Sequence, residues 1–312
     1  MAASSRRDLL QAGGDDLAGL LRTADAAPGR HIPIPGTLNF RDAGGYPVAG
    51  GGVTRWRSLL RSDGLHRLGP GAADMLAAMR LRTVLDLRTS AEAQLAASPL
   101  DELAGQGALT MQVSLIGEDL AALPADLDEI YDYIVDRQGA AIAAAIRTLA
   151  RPDGLPALVH CTAGKDRTGI VVAFALAAVG VPDPVIAADY ALSSLYLDPL
   201  STPAIGRVQE GTGLGDRLTA ALLASPPELI VRTLGRARRQ GGTIEGYLGA
   251  HGVPSAELAM LRSALVTAGG AGGSSPGAST AAGPAEEAGG LSPSGSTEGE
   301  DDDEARDADV SR

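Results

Sequence analysis

Between residues 158 and 181 the chain runs from a short apolar segment, through a polar stretch containing Gly164, into its longest apolar run, 170–181. A helix that is apolar on every side has to be buried. This run is too short for the roughly 18 or more apolar residues that a membrane-spanning helix needs. The apolar residues ahead of it, at 158–160, read as a short buried strand. A buried strand turning directly into a buried helix points to a sheet packed among helices.

The rest of the chain repeats the alternation. Residues 56–60, 83–87 and 111–116 read as strands, and 71–80 has helical spacing with Met75, Leu76 and Met79 on one side. Ser90 is placed to cap the helix that follows it. Residues 127–150 form a long helical stretch with a break expected near Gly139, and the remainder to Thr267 is mostly helical. The expected fold is α/β, with a central, mostly parallel sheet flanked by helices and a helical C-terminal half.

Three regions follow. Residues 1–30 read as a loosely ordered N-terminal extension, in which Leu9, Leu10, Leu17, Leu20 and Leu21 have the spacing of a short amphipathic helix. Residues 31–267 form the globular domain. Residues 268–312 are rich in Gly, Ser, Pro and acid, and such a segment cannot bury enough apolar surface to offset its ordering entropy. The tail holds much of the formal charge of −12, and the balance argues against nucleic acid or an anionic membrane as partner. Aromatics make up 3%, too few for base-stacking surfaces. Arg6 and Arg7 are followed by glycine and acid rather than an apolar export segment, so the expected location is the cytoplasm; secretion without a visible signal stays open.

The polar stretch reads HCTAGKDRTG over 160–169. A loop between a strand end and a helix N-terminus turns successive backbone N–H groups inward, and the helix dipole adds positive charge, so it can cradle a phosphate. Thr162, Ala163, Gly164, Lys165, Arg167 and Thr168 are the candidate phosphate-binding residues, with Gly164 supplying backbone freedom. The same field favours the thiolate of a cysteine at the loop's start, which makes Cys161 the candidate nucleophile. Arg167 offers a planar fork for two phosphoryl oxygens. Asp166 is the nearest acid to protonate a leaving group and then to activate water. Thr168 is placed to hydrogen-bond the sulfur and His160 to orient the loop. The chain has 25 arginines and one lysine, and that lysine lies in this loop, where a compact ammonium suits the position. The chemistry needs no metal and no cofactor. With one cysteine the chain can form no internal disulfide.

The loop resembles the signature of the protein tyrosine phosphatase superfamily, and its Lys-Asp pair resembles the bacterial tyrosine and lipid phosphatases. LNFRDAGGY at 38–46, LRSD at 60–63, VLDLR at 84–88, ADY at 188–190 and GYL at 246–248 carry the same resemblance, which covers about 31–267. It implies a cysteine phosphatase fold, a phosphocysteine intermediate, and Cys161, Arg167 and Asp166 in the roles above. It also implies phosphotyrosine protein as substrate, with possible dual specificity, or, as the alternative, phosphoinositides, since a loop lysine recurs in enzymes that accept them. In some members the region 190–239 would form a helical lid. From another class, a phosphate-binding module without turnover would leave the nucleophile without work.

Asp86 and Arg88 end an expected central strand, where α/β folds place site residues. Arg88 is expected to support the loop; Asp86 is a reserve acid or the partner of Arg41 or Arg61. Arg41 and Asp42 read as structural. Arg232, Arg236, Arg238 and Arg239 make a basic helical stretch, read as a solvated face, a partner for the acidic tail, or an attractor of anionic headgroups. Tyr190 and Tyr196 read as core or rim. Oligomeric state has no signal.

Overall fold

A computed structural model describes residues 15–27, 29–99, 107–117, 123–124, 126–197 and 224–267. The expected tail, Leu9 and Leu10 lie outside these residues.

Five strands form the central sheet: β1 (Arg41–Asp42), β3 (Leu59–Ser62), β4 (Thr83–Asp86), β5 (Leu109–Gln112) and β6 (Ala157–His160). Their order is β1-β3-β6-β4-β5, and only β1 runs antiparallel to its neighbour. β2 (Val53–Thr54) and β7 (Val266–Thr267) pair separately as an antiparallel ribbon. The mostly parallel sheet among helices agrees with the expected α/β architecture. Strand edges differ: the strand expected at 56–60 begins at Leu59, because Arg57 adopts a positive φ of 58° that extended pairing does not tolerate. The one expected at 111–116 ends at Gln112.

Side chains alternate across a strand, and both faces of this sheet are covered. Leu59, Leu85, Ala157 and Val159 belong to the larger core. Leu60, Val84 and Leu158 point into a smaller core with Ile34, Phe40, Leu65 and Leu76. Strands buried on both faces read as continuous apolar runs, which is why 83–87 and 158–160 were legible.

Helix α2 (Ala72–Ala78) covers the smaller face, and α3 (Ser90–Leu95) follows the C-terminal end of β4. The larger core is built by α4 (Leu127–Arg137), α5 (Gly139–Ala150), α6 (Asp166–Ala178), α7 (Asp183–Tyr196), α8 (Pro227–Gly241), α9 (Ile244–Ala250) and α10 (Ser255–Leu265). The expected break falls between α4 and α5. A Cβ at Gly139 would lie 2.2 Å from the His251 ring, so the close approach of α9's end needs the glycine. No helix among the described residues is long and apolar enough to cross a membrane.

Part of the segment read as a loosely ordered extension is folded. Helix α1 (Asp15–Ala26) buries Leu21 and Ala24 in the larger core, packs against α7, and its Asp25 accepts a hydrogen bond from Tyr196 at 3.1 Å. The basic stretch on α8 lies on a partly exposed helix face, and three of its four arginines meet the domain's own acids. Arg232 meets Asp128 at 2.7 Å, Arg236 meets Asp132 and Asp136, and Arg238 meets Asp183.

Candidate active site

The loop leaves the C-terminal end of β6, the strand beside β3 and β4, and enters α6 at Asp166. The helix begins two residues earlier than the apolar pattern indicates, so Asp166 and Arg167 belong to its first turn. The first N–H groups of a helix have no intrahelical acceptor, and here they border the loop.

Three anchors turn the loop's carbonyls outward. Gly64 N–H donates to Thr162 O at 2.9 Å. Asn39 Nδ2 donates to Ala163 O at 3.2 Å and to Gly164 O at 3.0 Å. Arg61 Nη2 donates to Gly164 O at 2.8 Å. In a trans peptide the N–H points opposite the carbonyl, so the N–H groups of Ala163, Gly164 and Lys165 face inward. Gly164 N–H donates to Cys161 Sγ at 3.3 Å, in agreement with that inference. Gly164 has φ 68°, and a Cβ there would sit 2.3 Å from Ser62 O, so both conformation and space demand glycine.

The anchors are themselves fixed. Asp63 accepts from the backbone N–H groups of Leu38 and Asn39. Asn39 Oδ1 accepts from Arg41. Arg41 and Arg61 converge on Asp189, the latter at 2.6 Å, and Tyr46 donates to the same carboxylate at 2.9 Å. All are buried. Burial pushes the Asp189 carboxyl up, but Arg41 and Arg61 outweigh it and hold it at about 2. Burial, with Arg61 adding to it, lowers Arg41 to about 10. The segments at 38–46, 60–63 and 188–190 therefore meet behind the loop. Breaking such a buried network by removing one partner costs about 3–5 kcal/mol.

Cys161 is buried, 2% exposed. Arg167 faces Glu92 of α3 in a fork, Nη1 to Oε2 at 2.6 Å and Nη2 to Oε1 at 2.8 Å. Thr162 Oγ1 donates to Glu92 Oε1 at 2.8 Å. Burial would raise the Glu92 carboxyl; hydrogen bonds and charge from Arg167 bring it to about 2. Glu92 was missed from sequence. The available signal was its capping box: Thr89, not Ser90, caps α3, its side chain accepting from Glu92 N–H while Glu92 accepts from Thr89 N–H.

Asp166 is partly exposed; its Oδ1 accepts from Tyr131 Oη at 2.8 Å and lies 3.0 Å from Lys165 Nζ. Tyr131 and Tyr190 are buried, and their hydroxyls are 2.7 Å apart. Burial, reinforced by the Asp166 charge, raises both phenols well above their ordinary value, so both stay protonated as donors. Tyr131 also escaped sequence reading. Lys165, taken there as a phosphate ligand, is buried and donates to Ala224 O at 2.8 Å. Thr168 Oγ1 is buried without a partner, so the expected bond to sulfur is not made in this state.

Asp86 is bound by Arg88 at 2.7 Å, not by Arg41 or Arg61. Burial acts to raise its carboxyl, and hydrogen bonds from Arg88 reverse this to a net lowering, which disfavours Asp86 as an acid. Arg88 also donates to Ala96 O and Ser98, tying α3's end to β4. That tie supports α3, and through Glu92 it supports Arg167. Buried His160 has Nδ1 3.4 Å from Cys161 O, and Nε2 lies 3.8 Å from Asp86 Oδ2 without a hydrogen-bond partner. Burial lowers it to about 4 against the pull of Asp86, so it is neutral at pH 7. The 190–239 lid region lies partly outside the described residues; its described parts are 190–197, the end of α7, and 224–239, which takes in most of α8.

Comparison with known proteins bears on the whole domain. A family model described as "Tyrosine phosphatase family" matches residues 32–267. A tyrosine-protein phosphatase of Nostoc commune is 31% identical over 227 residues, covering 68% of this chain and 75% of its own length. The triple specificity protein phosphatase PtpB of Mycobacterium tuberculosis is 28% identical over 276 residues, covering 75% of this chain and 98% of its own length.

Proposed function

Because this chain belongs to the tyrosine phosphatase family, we propose that it hydrolyses phosphotyrosine in proteins through a phosphocysteine intermediate on Cys161. The observation that carries this reading is the loop in which carbonyls are anchored outward and the Gly164 N–H meets Cys161 Sγ.

In the first step Cys161 Sγ, as thiolate, attacks phosphorus in line. The S–P bond forms as the P–O bond to the tyrosine breaks, and Asp166 gives its proton to the departing oxygen. The inward N–H groups and the α6 N-terminus hold the equatorial oxygens. A guanidinium has five N–H donors. The fork to Glu92 uses two and Nη2 also donates to Thr162 Oγ1 at 3.3 Å, leaving Arg167 Nε and the second hydrogen of Nη1 for phosphoryl oxygens. In the second step water attacks phosphorus, the S–P bond breaks, and Asp166, now ionised, takes the water's proton. Thr168, with its free hydroxyl, is assigned to the departing sulfur.

A range wider than tyrosine is consistent with the name of the mycobacterial relative. The phosphoinositide reading takes second place, since the ammonium expected to meet a headgroup is engaged by Ala224 and Asp166. Steady-state turnover of a phosphotyrosine peptide, a phosphothreonine peptide and a phosphoinositide in vesicles tests the order. Highest kcat/KM on the phosphotyrosine peptide supports it, and highest on the lipid overturns it.

A further inference from the structure

A second cleft, of about 580 Å³, opens at the edge of the sheet opposite the loop. Leu76, Leu81 and Pro156 line it together with three arginines, Arg57, Arg80 and Arg82, and among the described residues no carboxylate lines it. Arg57 precedes β3, Arg82 precedes β4 and Pro156 precedes β6, whereas Cys161 follows β6. The length of the strands therefore separates this cleft from the loop.

The arginines differ from those that the domain holds in close ion pairs. Arg41, Arg61, Arg88, Arg167, Arg232, Arg236 and Arg238 each meet a carboxylate within 3.4 Å. Arg80 and Arg82 are exposed and have no ion pair among the described residues, and Arg57 reaches Asp42 only at 3.9 Å with half its side chain exposed. A chain with formal charge −12 thus gathers three guanidiniums around one concave surface, with no counter-charge among the described residues of its lining.

The backbone singles out the same place. Of the described residues with positive φ, 12 are glycines, and the only others are Arg57 at 58° and Arg80 at 51°. Arg80 follows the C-cap of α2, a left-handed position that glycine usually fills. Among the described residues glycine fills every other such position, so two arginines kept there at a conformational cost point to work done by the side chains.

We propose that this cleft binds a small amphiphilic organic anion. Its apolar body lies on Leu76, Leu81 and Pro156, and its phosphate, phosphonate or carboxylate head lies between Arg57, Arg80 and Arg82. The site does not depend on the proposed chemistry of Cys161.

The test is a titration of the full chain with hexylphosphonate, whose C–P bond resists hydrolysis, followed by backbone amide NMR. Heptanoate, hexanol and inorganic phosphate serve as comparisons. The expected result is shift changes at 76–82 for hexylphosphonate or heptanoate, with the tighter of the two naming the preferred head. Hexanol and inorganic phosphate bind at least about tenfold more weakly, since each lacks one half of the recognition. Arg80→Gly, which relieves the left-handed strain, and Arg82→Gln each weaken binding at 76–82 by about tenfold or more. Arg80→Gly leaves the thermal midpoint undiminished and p-nitrophenyl phosphate turnover unchanged. Shift changes confined to the catalytic loop, equal affinity for hexanol, or binding at 76–82 that survives both substitutions would overturn the proposal.

Discussion

Arg167 and Glu92 form two parallel charge-assisted hydrogen bonds, 2.6 and 2.8 Å long, between the first turn of α6 and the first turn of α3. The pair fixes the plane of the guanidinium before any phosphate arrives. Glu92→Gln keeps an acceptor for the α3 cap but removes the charge and one arm of the fork. We expect kcat to fall roughly tenfold or more, with KM changed less, because the lost bonds orient a group that works in the transition state. Stability should change by no more than about 1–2 kcal/mol. Steady-state kinetics with a denaturation curve on each protein checks both.

Asp166 as acid implies dependence on the leaving group. Asp166→Asn should slow a phosphotyrosine peptide by roughly 100-fold or more, and p-nitrophenyl phosphate, whose leaving group needs little protonation, by less. Tyr131→Phe removes the donor at 2.8 Å and should give the same pattern in weaker form. Asp86→Asn producing the stronger leaving-group dependence would transfer the role to Asp86.

Lys165 is the domain's one ammonium, and it is bonded to Ala224 O and Asp166 rather than held out to a headgroup. Lys165→Met should therefore reduce turnover of phosphotyrosine peptide and phosphoinositide by similar factors. A selective loss on the lipid would restore the headgroup role.

His160 makes stability depend on pH. Its folded value of about 4 lies below the ordinary 6.5, so between these pH values the unfolded chain binds a proton that the folded chain does not. The contribution is complete above pH 6.5 and is lost as pH falls towards 4, on the order of 3 kcal/mol in all. The carboxylates held low, Glu92 and Asp189 at about 2, act in a lower window. Urea denaturation at pH 7 and pH 5 should show wild type losing stability, and His160→Asn should lack most of that slope.

The loop and its flanking strand and helix were legible because their signals are local: a buried run, a glycine, and the order of charged residues. Strands β4 and β6 were legible because burial on both faces leaves a short, mostly apolar run. What escaped were partners brought in by tertiary packing. Glu92 carries a capping-box signal, but nothing in it says that the same carboxylate meets Arg167. Asp189 looks like one acid among many until Arg41, Arg61 and Tyr46 converge on it. The ion pairs of the basic stretch on α8 escaped for the same reason, since their acidic partners lie 55 to 104 residues earlier in sequence.

The most direct test of the account is hydrolysis of p-nitrophenyl phosphate with EDTA present, comparing wild type with Cys161→Ser. The account predicts activity in wild type without metal and its loss in the variant, with a phosphorylated cysteine detectable by rapid-quench mass spectrometry of wild type alone. Turnover that survives in Cys161→Ser, or that disappears from wild type on adding EDTA, would contradict it.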